Sequence, residues 1–175
     1  MKNKKIKVLT LWQPYATLLA YGIKMNETRP KATKHIGEDC IYLIHAAKKF
    51  DKFQNDICKT EPFQTELRKI GIYTHLRDLK TQFPLGQIIG AFEVEGCCES
   101  IKQEGSFSYY FNKNRNGVDC PHVIDDKEEK FGDYSEGRSI WIGKNHRVLK
   151  TPILYKGSQG YYPNFKGDIK DLVFI

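Results

Sequence analysis

Three residues in one short segment have the types and spacing to hold or transform a polar ligand: Lys24, Glu27 and Arg29, within Gly22-Ile-Lys-Met-Asn-Glu-Thr-Arg29. A lysine withdrawn from water gives up its proton more readily and then acts as a nucleophile or base. Beside a carboxylate it stays a cation that holds a phosphate or a carbonyl oxygen, and Glu27 is the nearest carboxylate in the chain. Arg29 offers a planar fork of donors suited to a phosphate or a base edge. A Glu27–Arg29 ion pair that only staples two elements together is the plainer alternative.

A wider set of residues fits around this triplet. Gln13 is either a helix N-cap or an amide that reads a base edge. His45 follows a strongly apolar run, where a histidine is either a core residue with its hydrogen bonds met or a ligand-facing one. Trp12, Tyr15 and Trp141 are candidates to stack on a base, worth about 1–3 kcal/mol in single-strand binders; the apolar neighbours of Trp141 point to core. Lys156, Gly157, Gln159 and Gly160 form a glycine-flexible turn, either able to approach a phosphate backbone or only a tight reversal of the chain. Cys97, Cys98, Cys120 and His122 do not have usual metal-ligand spacing, so no metal and no cofactor is expected. Gly86-Gln-Ile-Ile-Gly90 lacks the Lys-Ser/Thr of a P-loop.

The elements that must position these residues are legible in outline. Ile6 to Leu11 reads as a strand, and Pro14 marks a helix start with Gln13 as its cap. Leu11, Tyr15, Leu18 and Leu19 recur at helical spacing, and Gly22 is placed to end that helix. Pro30 disfavours helix at Arg29, so Asn26 to Pro30 is extended, with Glu27 and Arg29 on one face. Ile41 to Ala46 is apolar on both faces, the pattern of a central strand. Ala47–Lys59 and Pro62–Ile70 are helix candidates, and Gly86 to Cys97 is a long strand. Residues 99–135 read as an excursion with little regular structure. Arg138 to Val148 is strand-like again, and Ile153–Tyr155 and Leu172–Ile175 read as short closing strands. The expectation is one α+β domain over residues 1–175, a small mixed β-barrel flanked by short helices.

Composition narrows the function classes. The chain has 175 residues, 40% of them hydrophobic, which suits one well-buried core. No apolar run reaches the roughly 18 residues of a membrane span, and Val8-Leu9 does not grow into a signal-peptide core, so a cytoplasmic location is expected. The net charge is +7, and residues 1–50, with ten Lys/Arg against three Asp/Glu, carry all of it. That excess beside the Lys24–Arg29 segment suits a polyanion, although Lys2, Lys4, Lys5 and Lys7 also serve as a solubilising tail.

Four blocks, in order, resemble the ASCH domain family. They are LTLWQPYATLLAYGIKMNETRP (9–30), with its Gly-x-Lys-x-x-Glu-x-Arg signature, IYLIHAAK (41–48), PLGQIIGAFEVEGC (84–97) and GRSIWIGKNHRVLKTPILYKGSQGYY (137–162). The resemblance implies a PUA-like barrel with a cleft for RNA or a modified nucleoside or nucleotide. Together with the residue readings above, the candidate ligand contacts are Gln13, Lys24, Glu27, Arg29, His45, Lys156 and Gln159. Some branches of the family are hydrolases, on acetylated cytidine or on RNA, and the amidohydrolase branch uses a lysine that Lys24 matches. That branch has a threonine three positions later, where this chain has Glu27. The resemblance thus implies an RNA- or nucleotide-binding module, with a small hydrolase using Lys24 as the alternative. Protein partners are not indicated.

Overall fold

Strands supply most of the framework, because the β-branched and aromatic runs are long and the helical stretches are brief. The computed structural model describes residues 4–37, 40–100, 109–113, 119–158 and 162–175, with backbone alone for 109–113, 119–123 and 169. Its strands are β1 (Lys5–Leu11), β2 (Asn26–Arg29), β3 (Cys40–Ala46), β4 (Gln87–Ser100), β5 (Tyr109–Lys113), β6 (Asp119–Val123) and β7 (Ser139–Leu154). Four short helices accompany them: α1 (Tyr15–Ala20), α2 (Lys52–Ile57), α3 (Phe63–Lys69) and α4 (Asp126–Lys130). No helix among the described residues is long and apolar enough to cross a membrane.

β3 lies between β1, its parallel neighbour, and the antiparallel β4. β7 pairs along most of β4 and carries β2 on its other side. The β5–β6 hairpin attaches at the far end of β4, through Glu99 and Ser100. β3 is apolar on both faces because both faces are covered. Tyr42 and Ile44 join Leu9, Leu11, Phe92 and Trp141, whereas Leu43 joins Val8, Ile88 and Leu149. The Tyr42 and Trp141 rings have centroids 5.3 Å apart although β4 separates their strands. Two strand spacings in a flat sheet are about 9.6 Å, so the sheet curls around this aromatic cluster.

The ladder does not close into the expected barrel: β1 and β2 remain edge strands. β2 has only four residues, and β7 is its one strand partner among the described residues. The C-terminal stretch covers other edges instead. Val8 donates its backbone N–H to the Pro163 carbonyl and Phe165 donates to Ile6, both at 2.9 Å, while Lys150 donates to Val173 at 2.8 Å. Phe174 forms a single bridge with Leu149. The strap hydrogen bonds among the described residues engage Ile6 and Val8 of β1.

Two further expectations change. The 99–135 excursion contains the β5–β6 hairpin and α4; residues 101–108 and 114–118 lie outside the described residues. α4 forms because the Asp125 carboxylate accepts from the Glu128 N–H at 2.6 Å and acidic residues fill the first turn. β7 also runs unbroken through Ile153, where a separate short strand was expected.

Two histidines tie the fold to pH. His45 is buried, with Nδ1 3.2 Å from the Thr10 hydroxyl and Nε2 3.0 Å from the Tyr155 carbonyl. His146 places Nδ1 2.8 Å from the Leu19 carbonyl and stacks on Phe92. Burial, the largest cause, holds both below the ordinary imidazole value. The unfolded chain therefore binds more protons, and stability present above about pH 6.5 is lost as pH falls below it. The urea midpoint is expected to drop between about pH 7.5 and pH 5.5, less steeply in His45→Gln; a flat wild-type midpoint would contradict this.

Candidate functional site

Lys24 is placed by the end of α1. Gly22 adopts φ +66°, a left-handed conformation that suits glycine, and ends the helix. Its N–H donates to Leu19 at 3.1 Å, and Ile23 donates to Leu18 at 3.0 Å, the paired bonds of a Schellman cap. Lys24 donates to the same Leu18 carbonyl at 3.1 Å, so its backbone is fixed against the helix end. The residue is 1% exposed, and its ammonium donates to the Asn26 carbonyl.

Glu27 and Arg29 follow on β2 as the alternation predicts. Glu27 Oε2 is 3.8 Å from Lys24 Nζ, and Glu27 Oε1 is 2.9 Å from Arg29 Nε. Arg29 then reaches across the seam between the edge strands, its Nη2 3.4 Å from the Thr10 carbonyl. Its guanidinium also lies 5.8 Å from the centre of the Tyr162 ring. The three residues form one chain of charge, cation–anion–cation, along the seam.

The seam opens into a cleft of about 560 Å³, within the size range of small-ligand sites. Thr10, Leu11, Trp12 and Tyr15 form one wall, and Lys24, Glu27, Thr28 and Arg29 another. Phe131, Gly132, Asp133 and Arg138 bring the excursion to the same cleft, and Phe53 of α2 stands at its mouth. Arg138 Nε pairs with Asp133 at 3.3 Å, and its Nη2 donates to the Thr28 carbonyl at 3.2 Å. Burial, aided by Cys58 and Glu27, raises the Tyr15 phenol above its ordinary value.

One residue holds the segment between Lys24 and Glu27, and sequence reading passed over it. Glu128 of α4 accepts the Met25 N–H at 2.8 Å through Oε2 and the Asn26 N–H at 2.9 Å through Oε1. The Tyr134 hydroxyl donates to the same Oε1 at 2.9 Å. Gly143 lets this strand approach: a Cβ there would lie 2.2 Å from the Met25 carbonyl oxygen. Asp125–Lys130 reads in sequence as a solvated charge run, and only the α4 cap with Glu128 turned inward distinguishes it.

The other predicted residues are placed differently. Gln13 is buried away from the cleft lining; its Oε1 accepts from the Thr17 N–H at 3.2 Å, a capping role, although the helix itself begins at Tyr15 after Pro14. His45 has both ring nitrogens engaged, by Thr10 and Tyr155, behind the cleft wall. Trp141 is fully buried and donates its indole N–H to the Lys31 carbonyl at 3.0 Å. Lys156 is exposed and is not among the cleft residues. Gln159 lies outside the described residues. Burial raises the Cys40 thiol to about 11 and the Cys58 and Cys98 thiols to about 12, which suits inert core positions.

Comparison with known proteins decides the family. The ASCH domain profile matches residues 9–153, most of the chain. The chain belongs to the ASCH domain family. Among solved structures it is similar to a serine-to-alanine mutant of the ASCH protein from Zymomonas mobilis, at 16% identity. That match covers 87% of this chain and 76% of that one, with a TM-score of 0.40. No curated protein sequence matches. In this ASCH domain the Gly22–Arg29 signature is the segment that supplies the cleft's charged wall.

The clamp on that segment gives a direct prediction. Glu128→Ala leaves two backbone donors and a phenol without their acceptor, so unfolding free energy should fall by about 2–5 kcal/mol. Glu128→Gln, which keeps one acceptor oxygen, should lose less. Chemical denaturation of the three chains checks this, and equal stabilities would show that the clamp carries no weight.

Proposed function

We propose that this ASCH domain binds RNA or a modified nucleotide, with a nucleobase entering the cleft between Tyr15 and the Lys24–Glu27–Arg29 chain. The observation that carries this reading is the meeting of an aromatic wall and a fixed donor–acceptor array in one solvent-open cleft. A nucleobase asks for both: an apolar surface for its face and alternating donors and acceptors for its edge. Arg29, bound to Glu27 through Nε, keeps donors on its guanidinium for the ligand, and Glu27 supplies an acceptor. The basic N-terminal segment supports approach of a polyanion.

A lysine whose ammonium is committed to a carbonyl and lies near a carboxylate suits a fixed positive charge rather than a free nucleophile. That arrangement supports binding over hydrolysis, in keeping with Glu27 at the position where the amidohydrolase branch has threonine. Lys24 thus orients the Glu27 carboxylate and the strand start.

Titration with nucleoside monophosphates, base-modified counterparts and a short single-stranded RNA tests the reading. Binding is expected at low salt, weakening as salt rises for the RNA. Arg29→Ala should weaken it by about 1–3 kcal/mol, roughly 5- to 150-fold. Absence of binding by every member of the panel at low salt would overturn the proposal. Turnover of an acylated nucleoside or of RNA that vanishes in Lys24→Ala, with the fold intact, would move the assignment to a hydrolase.

A further inference from the structure

The mouth of the cleft carries an aromatic pair that the fold leaves half in water. Trp12, just after β1, is 39% exposed, and Phe53, at the start of α2, is 54% exposed. Their ring centroids are 6.5 Å apart with planes 69° from parallel. The Lys49 ammonium lies 5.0 Å from the centre of the indole ring. One local device sets both partners of the indole. The Asp51 carboxylate accepts from the Phe53 N–H at 3.0 Å, in the capping box that starts α2, and lies 3.2 Å from Lys49 Nζ. Two large rings held open to solvent forgo the burial that would stabilise them, and a cation already rests on the indole.

The floor of the cleft has the opposite character. Glu27 is paired with Arg29 and Lys24, and Asp133 with Arg138, so three cations meet two carboxylates. The surplus charge belongs with Lys24, which is 1% exposed and held by the Asn26 carbonyl. A neutral base edge fits such a floor better than an ionised phosphodiester, which retains its water at the rim. Cation and stacking surface therefore stand together outside the floor, where the next phosphate and base of a strand would leave the cleft.

We propose that Trp12, Phe53 and Lys49 form an outer subsite for the nucleotide adjoining the one in the cleft. The ligand is then single-stranded RNA of two or more nucleotides rather than a free nucleoside. The unpaired base stacks on the Trp12–Phe53 pair, and Lys49 leaves the indole face to neutralise the phosphate between the two nucleotides. Base pairing in a duplex would hide the face that stacks, so the subsite selects unpaired RNA. This inference rests on the cleft being the base site, and Lys49, which does not line the cleft, is the residue that belongs to it alone.

The test compares mononucleotides with six-nucleotide single-stranded RNAs and the corresponding duplex in wild type, Phe53→Ala and Lys49→Ala. Trp12 is the exposed one of the two tryptophans, so quenching of its emission reports stacking directly. The single strand is expected to bind at least tenfold more tightly than the mononucleotide and than the duplex. Either substitution should bring the strand-to-mononucleotide affinity ratio towards one, and Lys49→Ala should also lower the salt slope by about one. Equal binding of strand and mononucleotide, or a ratio that survives both substitutions, overturns the outer subsite while leaving the cleft reading intact. If neither ligand binds, both readings fall. Both substituted side chains are largely exposed, so the variants should fold as wild type does, and circular dichroism confirms it.

Discussion

Two strands that end side by side without hydrogen-bonding leave backbone groups that must find other partners, and the cleft is built from one of the partners they find. Among the described strands, β1 pairs with β3 and β2 with β7. Lower on β1 the C-terminal strap supplies carbonyls and N–H groups to Ile6 and Val8. Near the top, the Thr10 carbonyl faces the Arg29 guanidinium. A closed barrel would have satisfied that edge with a neighbouring backbone and left no opening there. Here a side chain takes the neighbour's place, so the seam remains accessible and acquires charge.

Placing charge at a partly desolvated seam has a cost that shapes its surroundings. Lys24 and Glu27 are buried, and removing ions from water is repaid only where geometry and additional hydrogen bonds are good. The sequence order Lys24-x-x-Glu27-x-Arg29 supplies the charges in alternation, and β-strand geometry sets Glu27 and Arg29 on one face. The Asn26 carbonyl takes the lysine, and Glu128 takes the N–H groups of Met25 and Asn26. Replacing a buried ion pair with apolar side chains of similar volume is often neutral or stabilising. Stability alone therefore gives no reason for ions here, whereas a polar ligand does.

Those features that depend on neighbours in the chain were legible in the sequence. Gly22 ends α1 because a left-handed residue is needed there, and Pro30 keeps Arg29 extended; both follow from local backbone sterics. The doubly apolar run of β3 announces a strand covered on both faces. Glu128 could not be found this way, since a carboxylate in Asp-Asp-Lys-Glu-Glu-Lys acquires its role only from N–H groups about a hundred residues away. The open seam was missed for the same reason. Apolar strands imply a curled sheet, but which edges meet is a property of register and of strand lengths in space. Gln13 and His45 each had two readings in the sequence, and their polar atoms are engaged by carbonyls, hydroxyls and N–H groups of the framework itself.

The Glu128 clamp also changes what the excursion means for the site. Phe131, Gly132 and Asp133 line the cleft immediately after α4, and Arg138 follows just before β7. The Asp133 N–H donates to the Thr28 hydroxyl at 3.1 Å, and Arg138 donates to the Thr28 carbonyl, so residues on both sides of Thr28 are held from α4 and its sequel. Thr28 sits between Glu27 and Arg29 with its side chain on the other face of β2. The excursion thus holds, at Thr28, the strand that carries the charged pair. Among the described residues β2 pairs in the ladder with β7, and contacts from α4 and its sequel supply the rest of its hold. The fixed polar array and the excursion form one mechanical unit, and the geometry of the cleft is set by contacts made far outside the signature that supplies its charges.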